Sequence, residues 1–166
     1  MSTLAERIKK ENPWIGKIPL GSHGSGAIQK KYWKVTSDFV RIRDAYSYGG
    51  RCVSCPRTMQ WQDLQAGHAK AWAVCHGYSK WDMDNIFGQC PYCNKSGDAL
   101  TGRAFTDEIR RRHGKKRLDY IESLSRVPLE KIEDHILVGL MKVRLQEMAD
   151  LPEQPEYYYQ VKYLIS

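Results

Sequence analysis

No stretch of the 166-residue chain approaches the roughly 18 consecutive apolar residues that a membrane-crossing helix requires, so no spanning helix and no membrane partner are expected. The opening MSTLAERIKKENPW lacks the apolar core of a secretory signal, which makes a cytoplasmic address the expectation. There is no internal repeat, and the chain is too short for two ordinary domains. Hydrophobic residues make up 42% and charged residues 27%, near the globular average, which excludes a wholly disordered chain.

Acidic residues are scarce where basic ones gather. Residues 1–50 carry 9 basic and 4 acidic side chains, residues 51–117 carry 12 and 6, and residues 118–166 carry 5 and 9. The first two segments therefore have the field that attracts a polyanion such as nucleic acid, although a solvated basic surface has the same composition.

The five cysteines are sharper. Cys52, Cys55, Cys90 and Cys93 form two C-x-x-C pairs, with 34 residues between Cys55 and Cys90. Two such knuckles present four thiolates to one ion, a closed tetrahedral set suited to structural zinc. Two disulfides are the competing reading, and an odd cysteine count in a cytosolic chain argues against them. Cys75, followed by His76, has no knuckle partner and reads as a buried or free thiol.

Along the chain, residues 1–30 read as a basic arm, with two helical turns over Leu4–Lys10 stopped by Pro13. A Gly- and Ser-rich loop carrying His23 follows. Val35, Phe39, Ile42 and Tyr46 recur at helical spacing and predict a helix over 32–46, with Arg41 and Arg43 off its apolar face. Strand-like pieces flank Ala66-Gly67-His68. A short helix should follow Cys93, limited by Gly97 and Gly102. Thr106 is placed to cap the next helix, with Asp107 and Glu108 in its first turn and Arg110, Arg111 and Arg112 near its end. Gly114 should stop it, and a short helix over 115–124 follows. Pro128 opens a longer helix with Leu129, Ile132, Ile136, Leu140, Val143 and Leu151 on its apolar side. Residues 31–150 form the main domain, and 151–166 a Tyr-rich tail read as strand, docking tail or partner contact. Trp61, Trp72 and Trp81 are either core or a base-stacking surface.

His68 and Asn85 lie between the knuckles, and Asn94 directly after the second. Together with FVRIRDAY (39–46), CVSC (52–55), AGH (66–68), DNI (84–86), QCPYCN (89–94), SG (96–97) and RLDYIESL (117–124), they carry a resemblance to the NinG (Rap) family of phage recombination nucleases, a branch of the HNH or ββα-metal superfamily. It covers about residues 35–150. The resemblance implies an α+β fold with a zinc-stabilised, treble-clef-like ββα-metal core and flanking helices. It implies an endonuclease, in the host cytoplasm if phage-encoded, that hydrolyses DNA phosphodiesters in D-loops, four-way junctions and partly single-stranded DNA, leaving 5′-phosphate and 3′-hydroxyl ends. His68 would be the general base, Asn85 its positioner, and Asn94 a ligand of a catalytic Mg²⁺ or Mn²⁺ ion.

The residue types suit that chemistry. Hydrolysis needs a base for water and a cation for the charge growing on phosphate. Histidine titrates near neutrality, and an asparagine amide orients it without competing for the proton. Most HNH nucleases carry an acid or histidine directly before the base as a metal ligand, whereas this chain has Gly67. Asp63, Gln65, His76, Asp82 and Asp84 are the available substitutes, and Asp82 and Asp84 equally suit a turn before Asn85. Lys95, Arg110, Arg111, Arg112, Lys115, Lys116 and Arg117 are the expected phosphate contacts, although the helix dipole accounts for Arg110–Arg112 unaided. A four-way junction is two-fold symmetric, so a homodimer would suit it. The rival to a nuclease is a non-catalytic zinc-stabilised DNA-binding module of a replication or recombination complex.

Overall fold

A computed structural model of the chain describes Lys10 and residues 26–69, 80–96, 99–124 and 134–162. The proposed N-terminal turns apart from Lys10, together with Pro13, His23, Trp72, Cys75, His76, Gly97, Pro128, Leu129 and Ile132, lie outside the described residues. The described chain is a mostly helical α+β protein with one two-stranded hairpin. Its elements are α1 (Ala27–Ser47), β1 (Gln65–His68), a 3-10 turn (Met83–Asn85), β2 (Ile86–Gln89), α2 (Pro91–Ser96), α3 (Ala99–His113), α4 (Lys115–Leu124), α5 (Asp134–Met148) and α6 (Glu156–Val161). None of these helices is long and apolar enough to cross a membrane. Two compact units are present: Val40–Lys131, and Met1–Phe39 with Ile132–Ser166, so the boundary falls inside α1.

The Val40–Lys131 unit holds the hairpin. β1 and β2 pair antiparallel, with Gln65 opposite Gln89, Gly67 opposite Phe87 and His68 opposite Ile86. Two strands of four residues do not stand alone in water; here Phe87 packs with Phe105, Ile109, Leu118 and Ile121 from α3 and α4. Full burial of each such side chain contributes about 1.5–3 kcal/mol. From the last turns of α1, buried Asp44 accepts the Gly88 N–H at 2.6 Å, and Arg43 donates to the Ile86 carbonyl at 2.9 Å. Arg41 donates to the carbonyls of Trp61 (3.0 Å) and Gln62 (2.7 Å). Trp81 is buried, and the Arg41 guanidinium lies over the half-buried Trp61 ring.

α3 corrects two expectations. It starts at Ala99 and runs through Gly102. Thr106 is therefore an interior residue, its hydroxyl donating back to the Gly102 carbonyl at 3.1 Å. Asp107 and Glu108 sit mid-helix, paired with arginines one turn on. Gly114 does end the helix, with φ +83°, a backbone conformation that favours glycine, and α4 matches its expected span.

In the other unit, α5 buries Leu137, Val138, Met141, Leu145 and Met148, while Val143 is 48% exposed. The expected stripe was thus rotated: DHILVGLMKVRL is apolar on adjacent faces, and spacing does not choose between them. Of the described tail, Glu156–Val161 is helix rather than strand; α6 buries Tyr157, Tyr158 and Val161 and leaves Tyr159 exposed. Arg144 lies over Phe39, and Lys34 pairs with buried Asp38 at 2.7 Å.

Candidate functional site

The sulfurs of Cys52, Cys55, Cys90 and Cys93 all lie within 4.8 Å of one another, and those of Cys55 and Cys90 are 3.9 Å apart. Zinc with four thiolates at about 2.3 Å sets its sulfurs about 3.8 Å apart, so the cluster fits structural Zn²⁺. The N–H groups of Ser54 and Cys93 donate to the sulfurs of Cys52 and Cys90, at 3.4 Å each. Burial opposes ionisation of Cys90, but the Cys93 N–H and the neighbouring thiols outweigh it and bring that thiol down to about 7. The first knuckle is stitched to β2 by Val53 N–H to the Gly88 carbonyl, 3.0 Å. The second joins the end of β2 to α2, whose first residue is Pro91, a helix-start position proline tolerates. One ion would thereby clamp the first knuckle and the start of α2 to the C-terminal end of β2.

His68 ends β1. Its Nε2 lies 2.8 Å from the Lys80 carbonyl oxygen. A carbonyl only accepts, so Nε2 carries the proton and Nδ1 the lone pair. Burial pushes the imidazole down to about 4, so it is neutral at pH 7. The next residue, Ala69, donates its N–H to the Asn85 carbonyl at 2.9 Å. Asn85 is fully buried at the junction of the 3-10 turn and β2. It thus fixes the strand end through its backbone. The Lys80 carbonyl as orienting acceptor was invisible to sequence reasoning, because a backbone group leaves no residue signature.

The turn bearing Asn85 has its own supports. Asp82 accepts the Asp84 N–H at 2.9 Å, and Arg117 spans both carboxylates, at 2.7 Å to Asp84 and 2.7–2.8 Å to Asp82. His113 Nε2 lies 3.3 Å from Asp84. Burial raises the Asp82 carboxyl above its usual range despite Arg117. Asp82 and Asp84 therefore build the turn, and Asp63 is exposed beside Gly49, Thr58 and Gln60.

Asn94 projects from α2. Its Nδ2 donates to Gln65 Oε1 at 2.7 Å, and its Oδ1 lies 3.0 Å from where a Gly67 Cβ would stand. Closer still to that point, well inside contact distance, is Oε1 of Gln89. Gln89 is 2% exposed, and its Nε2 donates to Ser54 Oγ at 2.8 Å. These amide oxygens are hard donors of the kind magnesium and manganese accept, in sites that keep much of the ion's water. Gln89 opens the QCPYCN motif, but no role was read for it, because its approach to Gly67 is set by the strand pairing.

The basic residues divide. Lys95, Arg110, Arg111, Lys115 and Lys116 are exposed; Arg110 pairs with Asp107 and Lys115 with Asp119 on the same helices. Arg112 points inward: its side chain is 8% exposed, lies over the Tyr48 ring at 3.4 Å, and pairs with Asp44 and Glu108. Hydrogen bonding from Arg111, reinforced by Arg112 against partial burial, brings the Glu108 carboxyl down to about 2. Arg117 is committed to the turn.

No curated protein and no solved structure matches the chain. Residues 6–149 match the family described as bacteriophage lambda NinG protein. That span includes both knuckles, the hairpin, α1 to α4 and the whole of α5, and the chain belongs to the NinG family.

Proposed function

We propose that the chain is a metal-dependent DNA endonuclease with an HNH-type ββα centre, acting on branched recombination intermediates. The observation that carries this reading is the hairpin-and-helix unit: neutral His68 at the end of β1, Asn85 at the start of β2, and Asn94 on the helix that follows, tied together by four cysteines.

In this reading His68 takes the proton of the attacking water on Nδ1, while the Lys80 carbonyl holds the ring through Nε2. Asn85 keeps the strand end in place. Asn94 would hold a Mg²⁺- or Mn²⁺-type ion, which when bound offsets the charge growing on the phosphate. Lys95, Arg110, Arg111 and Lys116 lie exposed for backbone phosphates, which give affinity without sequence choice. Branched DNA as the substrate rests on family membership.

One observation favours the non-catalytic rival: Asp82 and Asp84 are held by Arg117, so neither is spare for a metal. Incubating the zinc-loaded chain with linear, flapped and four-way DNA and Mg²⁺ or Mn²⁺ separates the readings. The nuclease cuts branched forms and stops with EDTA; a pure binder shifts the same DNA and cuts none.

A further inference from the structure

The chain has glycine at the position before His68, and the space a side chain would fill there is not empty. Oε1 of Gln89 reaches into it from β2 and Oδ1 of Asn94 from α2. Both amides are held the same way round. Gln89 gives its nitrogen to Ser54 Oγ (2.8 Å) and Asn94 gives its nitrogen to Gln65 Oε1 (2.7 Å). Each oxygen is thereby turned toward the cradle, which settles the two ends of each amide.

Gln89 is 2% exposed, and its nitrogen is committed to Ser54 Oγ, which leaves Oε1 as the end of the amide on the Gly67 side. Gly67 has an ordinary backbone, so nothing in its φ demands glycine; its missing Cβ is what admits Gln89. On the far side Asn94 is exposed, so the cradle opens toward solvent at that end.

We propose that Gln89 Oε1, admitted by Gly67, joins Asn94 Oδ1 as a protein oxygen ligand of a divalent-cation site in this cradle. The donor missing at position 67 is supplied from the paired strand. The purpose of the site rests on the nuclease reading; its geometry does not. Two neutral oxygens make a weak site for the ion alone, with water and a substrate phosphate completing the shell. The Ser54 bond also links this ligand to the first cysteine knuckle, so the structural zinc clamp sets where Gln89 Oε1 sits.

The test is Mn²⁺ binding by the full, zinc-loaded chain, read by electron paramagnetic resonance with no DNA present, beside a cleavage assay on four-way DNA. Gln89→Ala should weaken Mn²⁺ binding about tenfold or more while zinc stays at one per chain. Gln89→Glu keeps the shape and adds a charge, and should tighten binding about tenfold. Gly67→Asp combined with Gln89→Ala moves the donor back to position 67 and should restore binding. Equal Mn²⁺ affinity in the parent, Gln89→Ala and Gln89→Glu overturns the proposal and leaves Gln89 as a brace to the knuckle. No Mn²⁺ binding by the parent or by Gln89→Glu overturns it too. If Gln89→Ala loses zinc or fold, the isosteric Gln89→Glu decides alone. Gln89-dependent Mn²⁺ binding without cleavage sinks the nuclease reading and keeps the cation site; cleavage with binding indifferent to Gln89 does the reverse.

Discussion

His68 shows how one side chain is prepared by its surroundings. Its ring is turned by a backbone carbonyl and kept neutral by burial, which brings it down to about 4 against about 6.5 in an unfolded chain. A depressed histidine has a clear consequence for stability. Above the unfolded value both states are neutral and the group adds no pH dependence. As pH falls from about 6.5 toward 4 the unfolded chain takes up a proton that the folded chain refuses, and stability drops, by up to about 3 kcal/mol for a shift of this size. His68→Gln should flatten that limb in urea melts between pH 7 and 4. Equal pH dependence in the two proteins would show that the imidazole is not held neutral by the fold. Asp44 and Gln89 lie inside motifs quoted from the sequence, but their contacts with Gly88 and Gly67, like that of the Lys80 carbonyl with His68, are set by tertiary packing and were not legible there.

At the scale of elements, periodicity was reliable where one face of a helix is apolar and failed where two are. α4 was read to its ends. α5 was read on a neighbouring face, since Leu137, Met141 and Leu145 compete with Ile136, Leu140 and Val143 for the same spacing. α3 begins about two turns before its supposed cap, because Gly102 is tolerated in the interior of a packed helix at a cost of about 1 kcal/mol. Its arginine run also divides by facing. Arg112 bridges buried Asp44 and Glu108 under Tyr48, whereas Arg110 and Arg111 face solvent. Arg112→Gln should therefore cost about 1.5–3 kcal/mol in folding stability, since it removes a buried guanidinium's charged hydrogen bonds, although Asp44 keeps Arg43 at 2.8 Å and Glu108 keeps Arg111. Arg110→Gln with Arg111→Gln should leave stability within about 0.5 kcal/mol and reduce the slope of log affinity for DNA against log salt by about 1–2. Urea melts and DNA titrations at several salt concentrations check both arms. A stability loss from the Arg110/Arg111 pair, or an Arg112→Gln protein as stable as the parent, would reverse this division.

For the molecule as a whole, the cysteine cluster is the feature on which the hairpin depends. The Val40–Lys131 unit has a small core, and its two strands are too short to persist alone. For a zinc ion held by these four cysteines, metal-binding energy would be folding energy. Purified chain should hold one zinc, and Cys90→Ser or strong chelation should remove both the zinc and most of the unit's cooperative unfolding transition. A chain that keeps its melting transition after zinc is stripped would show that the hydrophobic core suffices. This part of the fold was legible in the spacing of four residues. The helical unit formed by Met1–Phe39 and Ile132–Ser166 was not, since no local signal marks which distant helices share a core.

The central claim, that the hairpin-and-helix unit is a catalytic centre with His68 as its base, is tested most directly by single-turnover cleavage of a four-way DNA by the parent and by His68→Ala, both zinc-loaded, with a binding titration of the same junction alongside. Loss of a general base removes about 10²–10⁴ in rate, and His68 is neither one of the clustered cysteines nor a charged group at pH 7. The account predicts a rate lower by that factor with zinc content and junction affinity unchanged; an His68→Ala protein that cuts at the parental rate would contradict it.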